Sequence, residues 1–421
     1  MTGGEREIWL APGWRTPFAR VDGPLAGRDS LTLSVPVVQA MARQVSGPID
    51  LAIWGSVAVN LAYSNLAREV WLEAGLDPHV PTFTTILQCC TSMVAAFQAA
   101  RMLGRAGRSL ALVGGSESMS RVQVGLGQNL SDWLRRFTQA RTAARRLQVL
   151  RRLRPRDLRL YVPEVKNRAT GKSMGEHCEE MAESWKIGRR EQDEFALESH
   201  RRAVAAQDGG LFNDLIPVDG IDRDGFPRRD TSLERLAALR PAFDRAHGTI
   251  TAGNSSPLTD GAAAVWVATE EGLARLPATL PRVRLVDFEM AAVDIFREGL
   301  LMAPVAAIPR LLARHGLTFG DIALWEIHEA FAAQVLCNIR GLDDAEYVRE
   351  KAGVPHSFGR FPVERVNPNG GSVALGHPFG ATGARILSQA VKELAAMPKE
   401  SRAVVSVCAD GGLGTVALLQ N

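Results

Sequence analysis

The chain has 421 residues, 46% of them apolar, with 39 glycines and 22 prolines, which is ordinary for an α/β protein of two or three packed units. A net charge of +3 gives no reason to expect nucleic-acid binding. The five cysteines are an odd number and are not closely spaced, which argues against a disulfide scaffold. The chain has no CxxC motif with paired histidines of the kind that would indicate a zinc site. The N-terminus lacks a secretory apolar region, and no run approaches the roughly 20 apolar residues of a membrane span. We therefore expect a cytoplasmic protein of bacterial type.

The first 120 residues alternate between strand-like and helix-like patterns. Strands are predicted at Glu7–Leu10, Leu51–Trp54 and Ser109–Val113, and helices at Ser64–Ala74 and Ser92–Gly104. The third strand runs into a glycine pair. This order predicts stacked βα units.

Residues 121–248 differ in character and are predicted to form an inserted loop domain. Arginines recur between Arg121 and Arg159 with apolar residues at roughly helical spacing, and 174–206 is also helical in pattern. We expect the insertion to lie between the strand Ser109–Val113 and a strand at Thr249–Ala252. Insertions on a rigid scaffold commonly build the substrate surface.

The order of elements near the start returns near the end. A helix opening at Gly383–Leu387 is followed by a strand at Ala403–Val407 and by Gly411-Gly412. This repetition predicts a duplicated domain, although any α/β protein could show such pairs. The predicted halves are 1–120 with 249–272, and 273–421.

Two cysteines stand where a thiol could react. Cys90 precedes a buried helix, whose macrodipole and unpaired N–H groups would lower the thiol pKa. Cys408 ends an apolar strand that opens into glycines, where α/β sheets place ligands and where backbone N–H groups could bind an oxyanion. The alternative for both is a buried structural cysteine.

Two histidines complete the candidate site. His377 lies in a glycine-dense loop and could act as general base toward a thiol. His328 follows an apolar stretch and could donate a hydrogen bond to a thioester carbonyl or hold a water that does. Each alone could equally be a structural or surface histidine. A nucleophile, a base and a second thiol acting as acid are what reversible carbon–carbon cleavage between acyl thioesters needs.

Taken together, these segments resemble the thiolase family almost end to end. The motifs that carry the resemblance are Arg15-Thr-Pro-Phe18, Gly114-Gly-Ser-Glu-Ser-Met-Ser120, Met174-Gly175, Ser199-His-Arg-Arg-Ala203, Gly248-Thr-Ile-Thr-Ala-Gly-Asn-Ser-Ser256, Asp260-Gly-Ala-Ala-Ala264, His328-Glu-Ala-Phe331 and Gly376-His-Pro-Phe-Gly380.

The resemblance implies the thiolase fold: an α/β protein with two βαβαβαββ halves in a five-layered α-β-α-β-α core, plus the loop domain. It implies Cys90 as the acylated nucleophile, His377 as its base and Cys408 as proton donor and acceptor. His328 with a water, and the backbone N–H groups of Cys90 and Asp410, would form two oxyanion holes. A separate set would line the coenzyme A tunnel: Met174, Ala252, Ser256, Ala330 and Phe331.

The resemblance implies no metal and no permanently bound cofactor, with coenzyme A as co-substrate. His328 in place of the asparagine common in biosynthetic thiolases, the segment 376–383 and the stretch 163–174 are similar to β subunits of fatty-acid trifunctional complexes. That subtype implies thiolysis of medium- and long-chain 3-ketoacyl-CoA in β-oxidation, and a hydratase/dehydrogenase partner subunit. Family members form dimers or tetramers. The basic stretch 121–159 could dock on a membrane or partner, or be a solvated helical face.

Alternatives remain at this point. They are a biosynthetic acetyl-CoA acetyltransferase, a decarboxylating ketoacyl synthase, which Cys408 disfavours, and a lipid-binding or scaffold homologue whose site has decayed. Two residues depart from the family pattern. Leu87-Gln88 replaces an Asn-Arg pair, and Asp410 stands where a small residue is usual. A carboxylate there would oppose an oxyanion unless it is turned away or paired.

Overall fold

The computed structural model describes residues 6–355 and 357–421. Residues 1–5, which hold most of the N-terminal stretch considered above, lie outside the described residues. The N-terminal half contains, in order, β1 Ile8–Arg15, β2 Ala19–Arg20, α1 Ser30–Arg43, β3 Leu51–Gly55, α2 Leu66–Glu73, β4 Thr82–Thr84, α3 Thr91–Met102 and β5 Leu110–Glu117.

The segment after β5 leaves the sheet and forms mainly helices. Its elements are β6 Gly125–Leu126, α4 Gln128–Gln139, α5 Ala143–Leu150, β7 Leu160–Tyr161, α6 Met174–Ser184, α7 Arg189–Asp208 and α8 Leu233–Ala237. The chain then returns to the sheet with β8 Thr259–Ala268, followed by α9 Glu270–Leu273.

The C-terminal half repeats the alternation of strands and helices. It contains β9 Val283–Ala292, α10 Ala303–Arg314, β10 Leu324–Ile327, α11 Ala332–Asp343, α12 Ala345–Ala352, α13 Ser372–Leu375, α14 Thr382–Ala395, β11 Arg402–Ala409 and β12 Leu413–Gln420.

The strand order confirms the predicted duplication. In the described residues one continuous sheet runs β10-β11-β12-β9-β1-β8-β5-β3-β4. In the first half, β3 pairs parallel with β5, which pairs antiparallel with β8, which pairs antiparallel with β1. In the second half, β10, β11, β12 and β9 repeat those relations. Within the sheet, the two copies meet where Ile8–Leu10 pair antiparallel with 283–285.

The buried clusters reveal the five layers that the resemblance implies. One cluster packs α3 and α14 between the two half-sheets. A second packs α1 and α2 on the outer face of the first half, and a third packs α10, α11 and α12 on the outer face of the second half. Helix α14 is buried on nearly every side, as a central helix must be. The N-termini of α3 and α14 meet at Gly383 and Met93. Glycine permits this close approach, since a Cβ at residue 383 would stand 2.5 Å from the Met93 nitrogen.

Some sequence-based boundaries need correction. The strand predicted at Thr249–Ala252 is wrong, since that segment is a loop and the next strand is β8. The loop is fixed by Glu179, whose carboxylate accepts hydrogen bonds from the backbone N–H groups of Thr249 and Ile250. The strand predicted at Ser109–Val113 is real but continues to Glu117 as β5. The helical stretch 174–206 is two helices, with the break at Trp185–Gly188.

Candidate active site

A tight turn before α3 places the first thiol. Gln88 has a φ of +42°, an uncommon conformation for a residue with a side chain. The turn is closed by hydrogen bonds from Cys90 N to Leu87 O and from the Thr91 hydroxyl to Gln88 O. As a result, Cys89 projects away from the helix, and its sulfur lies 3.2 Å from Nε2 of His377.

Cys90 occupies a different position from the one predicted. It is the N-cap residue of α3 and is fully buried, and its thiol donates to the carbonyl of Val407 at 3.3 Å. Its backbone N–H is already bonded to Leu87 O at 2.9 Å, so the expected oxyanion role for that N–H is also wrong. Burial raises the pKa of Cys90 to about 12, which outweighs any lowering by the helix dipole. The prediction that Cys90 meets His377 is therefore wrong by one residue.

Helical spacing in the sequence does not distinguish the two cysteines. The helix α3 is buried on every side from Thr91 to Phe97, so no apolar stripe singles out Cys90 as the core residue. The turn at Gln88, with its positive φ, sets Cys89 apart from the helix and leaves it partly exposed.

The orientation of His377 is fixed by backbone and hydroxyl contacts. The preceding Gly376 has a φ of +97°, and the His377 backbone N–H donates to Thr259 Oγ1 at 3.1 Å. Nδ1 lies 2.7 Å from Thr382 Oγ1, and that hydroxyl donates to Pro378 O at 3.0 Å. Because the Thr382 hydrogen is used there, its oxygen accepts from Nδ1–H, which leaves a lone pair on Nε2 facing Cys89.

Both partners of the Cys89–His377 contact are neutral at rest. Burial, with a contribution from Arg385, lowers the pKa of His377 to about 3. Burial raises the pKa of the Cys89 thiol well above its ordinary value, and the nearby Cys408, Cys90 and Asp410 add to that rise. A neutral imidazole with a free lone pair beside a neutral thiol is suited to take the proton as the sulfur attacks.

Cys408 and His328 converge on the same place from the second half of the molecule. Cys408, at the end of β11, is buried, and burial together with Cys90 raises its thiol pKa. His328 follows β10, and its ring centroid lies 4.1 Å from that of His377. A nitrogen of each histidine and the Cys89 sulfur lie within 4.8 Å of one another. One thiol and two imidazoles could also ligate zinc, so the expectation of no metal stays a prediction.

The side chain of Asp410 is hydrogen-bonded, which is one of the two conditions under which a carboxylate beside an oxyanion site was expected to be tolerated. Its Oδ1 accepts from Asn167 Nδ2 at 2.8 Å and from the Gly411 backbone N–H at 2.7 Å. Asn167 belongs to the segment inserted between β5 and β8, so this contact ties that segment to the loop after Cys408. Nothing in the sequence identified Asn167.

Most of the residues predicted for the coenzyme A tunnel lie close together. Ser256 N donates to Ala330 O at 2.9 Å, and Phe331 packs edge-on against Phe243 with 5.9 Å between centroids. Met174 begins α6 and packs on the core cluster that also contains Ala330 and Phe331. Ala252 is exposed in the loop before β8.

Glu329 holds this region to the loop that carries His377. Its buried carboxylate accepts from the Ser199 hydroxyl, the Asn367 amide and the Val373 backbone N–H. Gly371 allows this approach, since a Cβ there would stand 2.3 Å from the carboxyl carbon.

A separate cavity of about 710 Å³ lies between β1 and the C-terminal end of α14, and it is lined by none of the predicted site residues.

Comparisons with known proteins match nearly the whole chain to one family. The family model "Thiolase, N-terminal domain" matches residues 8–271, and "Thiolase, C-terminal domain" matches 279–421. A 3-ketoacyl-CoA thiolase of Erwinia tasmaniensis is 38% identical over 427 aligned residues, covering 99% of this chain and 97% of that protein.

Solved structures give the same result. An acetyl-CoA acetyltransferase of Bacillus anthracis superposes with a TM-score of 0.82 at 29% identity over the full length of both chains. The human mitochondrial 3-ketoacyl-CoA thiolase in complex with CoA gives 0.81 at 28% identity over 99% of this chain and 98% of that chain.

Proposed function

Because this chain belongs to the thiolase family and is an acyltransferase that cleaves 3-ketoacyl-CoA by thiolysis, we propose that Cys89, His377 and Cys408 are its reacting groups. The contact of 3.2 Å between the Cys89 sulfur and His377 Nε2 carries the assignment of the nucleophile. Cys89 takes the role that the sequence gave to Cys90. Coenzyme A is the co-substrate, and the reaction belongs to fatty-acid β-oxidation.

In the first half-reaction, the Cys89 sulfur attacks the 3-keto carbon while its proton passes to His377 Nε2. The bond between C2 and C3 breaks, which leaves an acyl group on Cys89 and the enolate of acetyl-CoA. The Cys408 thiol gives its proton to C2 of the enolate and becomes a thiolate. His328 donates to the oxyanion at the thioester, and the backbone N–H groups of Cys89 and Asp410 donate at the acyl carbonyl.

In the second half-reaction, coenzyme A attacks the acyl-Cys89 carbonyl and its thiol proton passes to the Cys408 thiolate. The imidazolium of His377 returns its proton to the departing Cys89 sulfur. The shortened acyl-CoA leaves, and all three groups regain their starting protonation states. Neutral resting groups suit this cycle, since both protons are transferred at the moment of bond change.

The experiment that tests this assignment is trapping of the acyl-enzyme. The purified protein is mixed with a 3-ketoacyl-CoA, quenched with acid and digested, and the acylated cysteine is located by mass spectrometry. Acyl mass on Cys89 supports the proposal, whereas acyl mass on Cys90 or on neither cysteine overturns it. The Cys89→Ala variant is the matched control.

We propose that the substrates are medium- and long-chain 3-ketoacyl-CoA. The support is the His-Glu-Ala-Phe segment at 328–331 and the similarity of 376–383 to trifunctional β subunits. The alternative is acetoacetyl-CoA formation, which the likeness to an acetyl-CoA acetyltransferase favours. Comparison of kcat/KM on acetoacetyl-CoA with that on a 3-ketoacyl-CoA of about 16 carbons separates the two. A higher value on acetoacetyl-CoA would contradict the long-chain assignment.

We also propose that the segment 121–159 contacts an anionic membrane surface. Its arginines on α4 and α5 are exposed, and so are Leu134, Leu147 and Leu150. Trp133 and Phe137 stack on one another along α4, and the Trp133 indole N–H donates to Val149 O on α5, which joins the two helices. Exposed arginines beside exposed leucines suit lipid headgroups and the acyl boundary. Among the described residues, none of the helices combines the length and apolar character needed to cross a bilayer.

The test is co-sedimentation with vesicles of phosphatidylglycerol or of phosphatidylcholine alone. Binding to the anionic vesicles that disappears in Arg145→Glu/Arg146→Glu supports the proposed membrane contact, and equal recovery with both vesicle types contradicts it.

The proposed assembly is a homodimer or homotetramer that can bind a hydratase/dehydrogenase subunit. Sedimentation velocity measures the number of copies in the assembly. The division into 1–120 with 249–272, 121–248 and 273–421 stays a proposal about the domains.

A further inference from the structure

His328 is connected to a buried arginine through one hydroxyl. Its Nδ1 lies 3.0 Å from Ser372 Oγ, and Arg385 Nη2 donates to the same oxygen at 3.3 Å. All three side chains are buried, at 0% exposure for His328 and Ser372 and 4% for Arg385. Ser372 begins α13 and Arg385 lies in the first turn of α14, so the two helices on either side of the His377 loop supply this chain of contacts.

The contacts determine which nitrogen of His328 carries the hydrogen. A guanidinium can only donate, so the Ser372 oxygen accepts from Arg385. Among the residues that the structure describes, the Ser372 hydroxyl has no hydrogen-bond acceptor other than His328 Nδ1. The arrangement that satisfies every group has Ser372 donating to a lone pair on Nδ1. The neutral ring then carries its hydrogen on Nε2.

Nε2 is the nitrogen left to act in the pocket. It is buried and has no hydrogen-bond partner among the described residues. Burial, with help from His377 and Arg385, lowers the pKa of His328 well below its ordinary value, so the ring is neutral and has a single N–H. The opposite tautomer would present a lone pair to the thioester oxyanion and would repel it.

We propose that Ser372 and Arg385 are positioning residues that hold His328 with Nε2–H ready to donate to the oxyanion. The inference rests on the proposed function, in which His328 contacts that oxyanion. It adds a reason for the buried charge of Arg385, which the chemical steps do not use. Ser372 and Arg385 act only through His328 and touch no reacting atom.

A double-mutant cycle tests the proposal with wild type, Ser372→Ala, His328→Asn and the double variant. An asparagine amide carries its own N–H and has no tautomers, so it needs no help from Ser372. We expect Ser372→Ala to lower kcat for thiolysis about tenfold with KM nearly unchanged, as for the loss of one orienting hydrogen bond. In the His328→Asn background, we expect the same substitution to change kcat by no more than about twofold.

If Ser372 only supports the fold, the double-mutant cycle should show no coupling between Ser372 and His328. The loss on removing the hydroxyl would then be the same in both backgrounds, and that outcome overturns the proposal. A failure of the proposed function itself is distinguishable, because the trapping experiment would then place the acyl group on Cys90 or on neither cysteine.

A spectroscopic measurement does not depend on turnover. Histidine labelled with ¹⁵N reports its tautomer by NMR, and the His328 signals are identified as those absent in His328→Asn. We expect the Nε2–H form in wild type and the appearance of the Nδ1–H form in Ser372→Ala. An Nδ1–H form in wild type would overturn the proposal whatever the activity.

Discussion

The sulfur of Cys89 lies 3.2 Å from Nε2 of His377, although the two residues are 288 positions apart in the sequence. The next residue, Cys90, directs its sulfur to the Val407 carbonyl instead. The two thiols therefore differ in hydrogen-bond partner and in exposure. This difference makes Cys89 the candidate for reaction and Cys90 a part of the packed core.

We expect Cys89→Ala to abolish thiolysis and acyl-enzyme formation, because no other thiol of the described residues forms a hydrogen bond to the base. Cys90→Ala should retain most of kcat while lowering the free energy of unfolding by about 1 kcal/mol, the usual effect of removing one buried atom from a core. Steady-state kinetics and urea unfolding of the two variants check this. Loss of turnover in Cys90→Ala with Cys89→Ala still active would reverse the assignment.

Thr382 is expected to orient the base. In Thr382→Val the shape is kept but Nδ1 of His377 loses its acceptor, so the ring can adopt the tautomer with no lone pair toward Cys89. We expect kcat/KM to fall about tenfold or more. Thr382→Ser keeps the hydroxyl and serves as the control. If both variants fall equally, a disturbance at the start of α14 is responsible rather than loss of the hydroxyl, and the orienting role is excluded.

The sequence predicted the fold better than the fine structure of the site. The alternation of strands and helices and the repeated glycine pair reflect burial and turn geometry, which are local properties of the chain. The structure brings the predicted His377, Cys408 and His328 close to Cys89, and each lies in a segment of unusual composition, while their chemical roles stay a prediction. The choice between Cys89 and Cys90 depends on one turn with Gln88 at a φ of +42°, which no spacing rule gives.

Contacts between residues that are far apart in the sequence could not be predicted either, because they depend on the folded arrangement of the chain. Asn167 and Asp410 are 243 positions apart, and the hydrogen bond between them exists only because the insertion folds back onto the loop after β11. The strand at Thr249–Ala252 failed because a short apolar run does not distinguish a strand from a loop whose N–H groups are bound by a distant carboxylate, here that of Glu179.

Asp410 should slow ionisation of the nucleophile. Its negative charge is among the causes that raise the pKa of Cys89, so removing the charge should lower that pKa and increase the thiolate fraction at a given pH. We expect Asp410→Ala to keep or raise thiolysis and Asp410→Asn to be alkylated at Cys89 faster than wild type by iodoacetamide at pH 8. The pH profile of alkylation checks the sign. A shift of the profile to higher pH would contradict it.

The control for that prediction is Asn167→Ala, which frees the Asp410 side chain without removing its charge. We expect this variant to be no faster in alkylation than wild type, because the carboxylate stays near Cys89. A large loss of activity in Asp410→Ala but not in Asp410→Asn would show that the tie to Asn167, rather than the charge, matters for turnover.

His200 should make the fold sensitive to mild acid. It is buried on α7, its Nδ1 accepts the Arg228 backbone N–H at 3.3 Å, and burial together with Arg228 lowers its pKa to about 4. As pH falls below about 6.5 the unfolded chain takes up the proton first, so the free energy of unfolding should fall until about pH 4, where the folded state is protonated as well. The full effect is at most about 3 kcal/mol. Urea unfolding of wild type and His200→Gln between pH 7 and 4 measures it, and the variant should lose less stability over this range. Equal slopes for the two proteins would assign the acid sensitivity to other groups and contradict the role of His200.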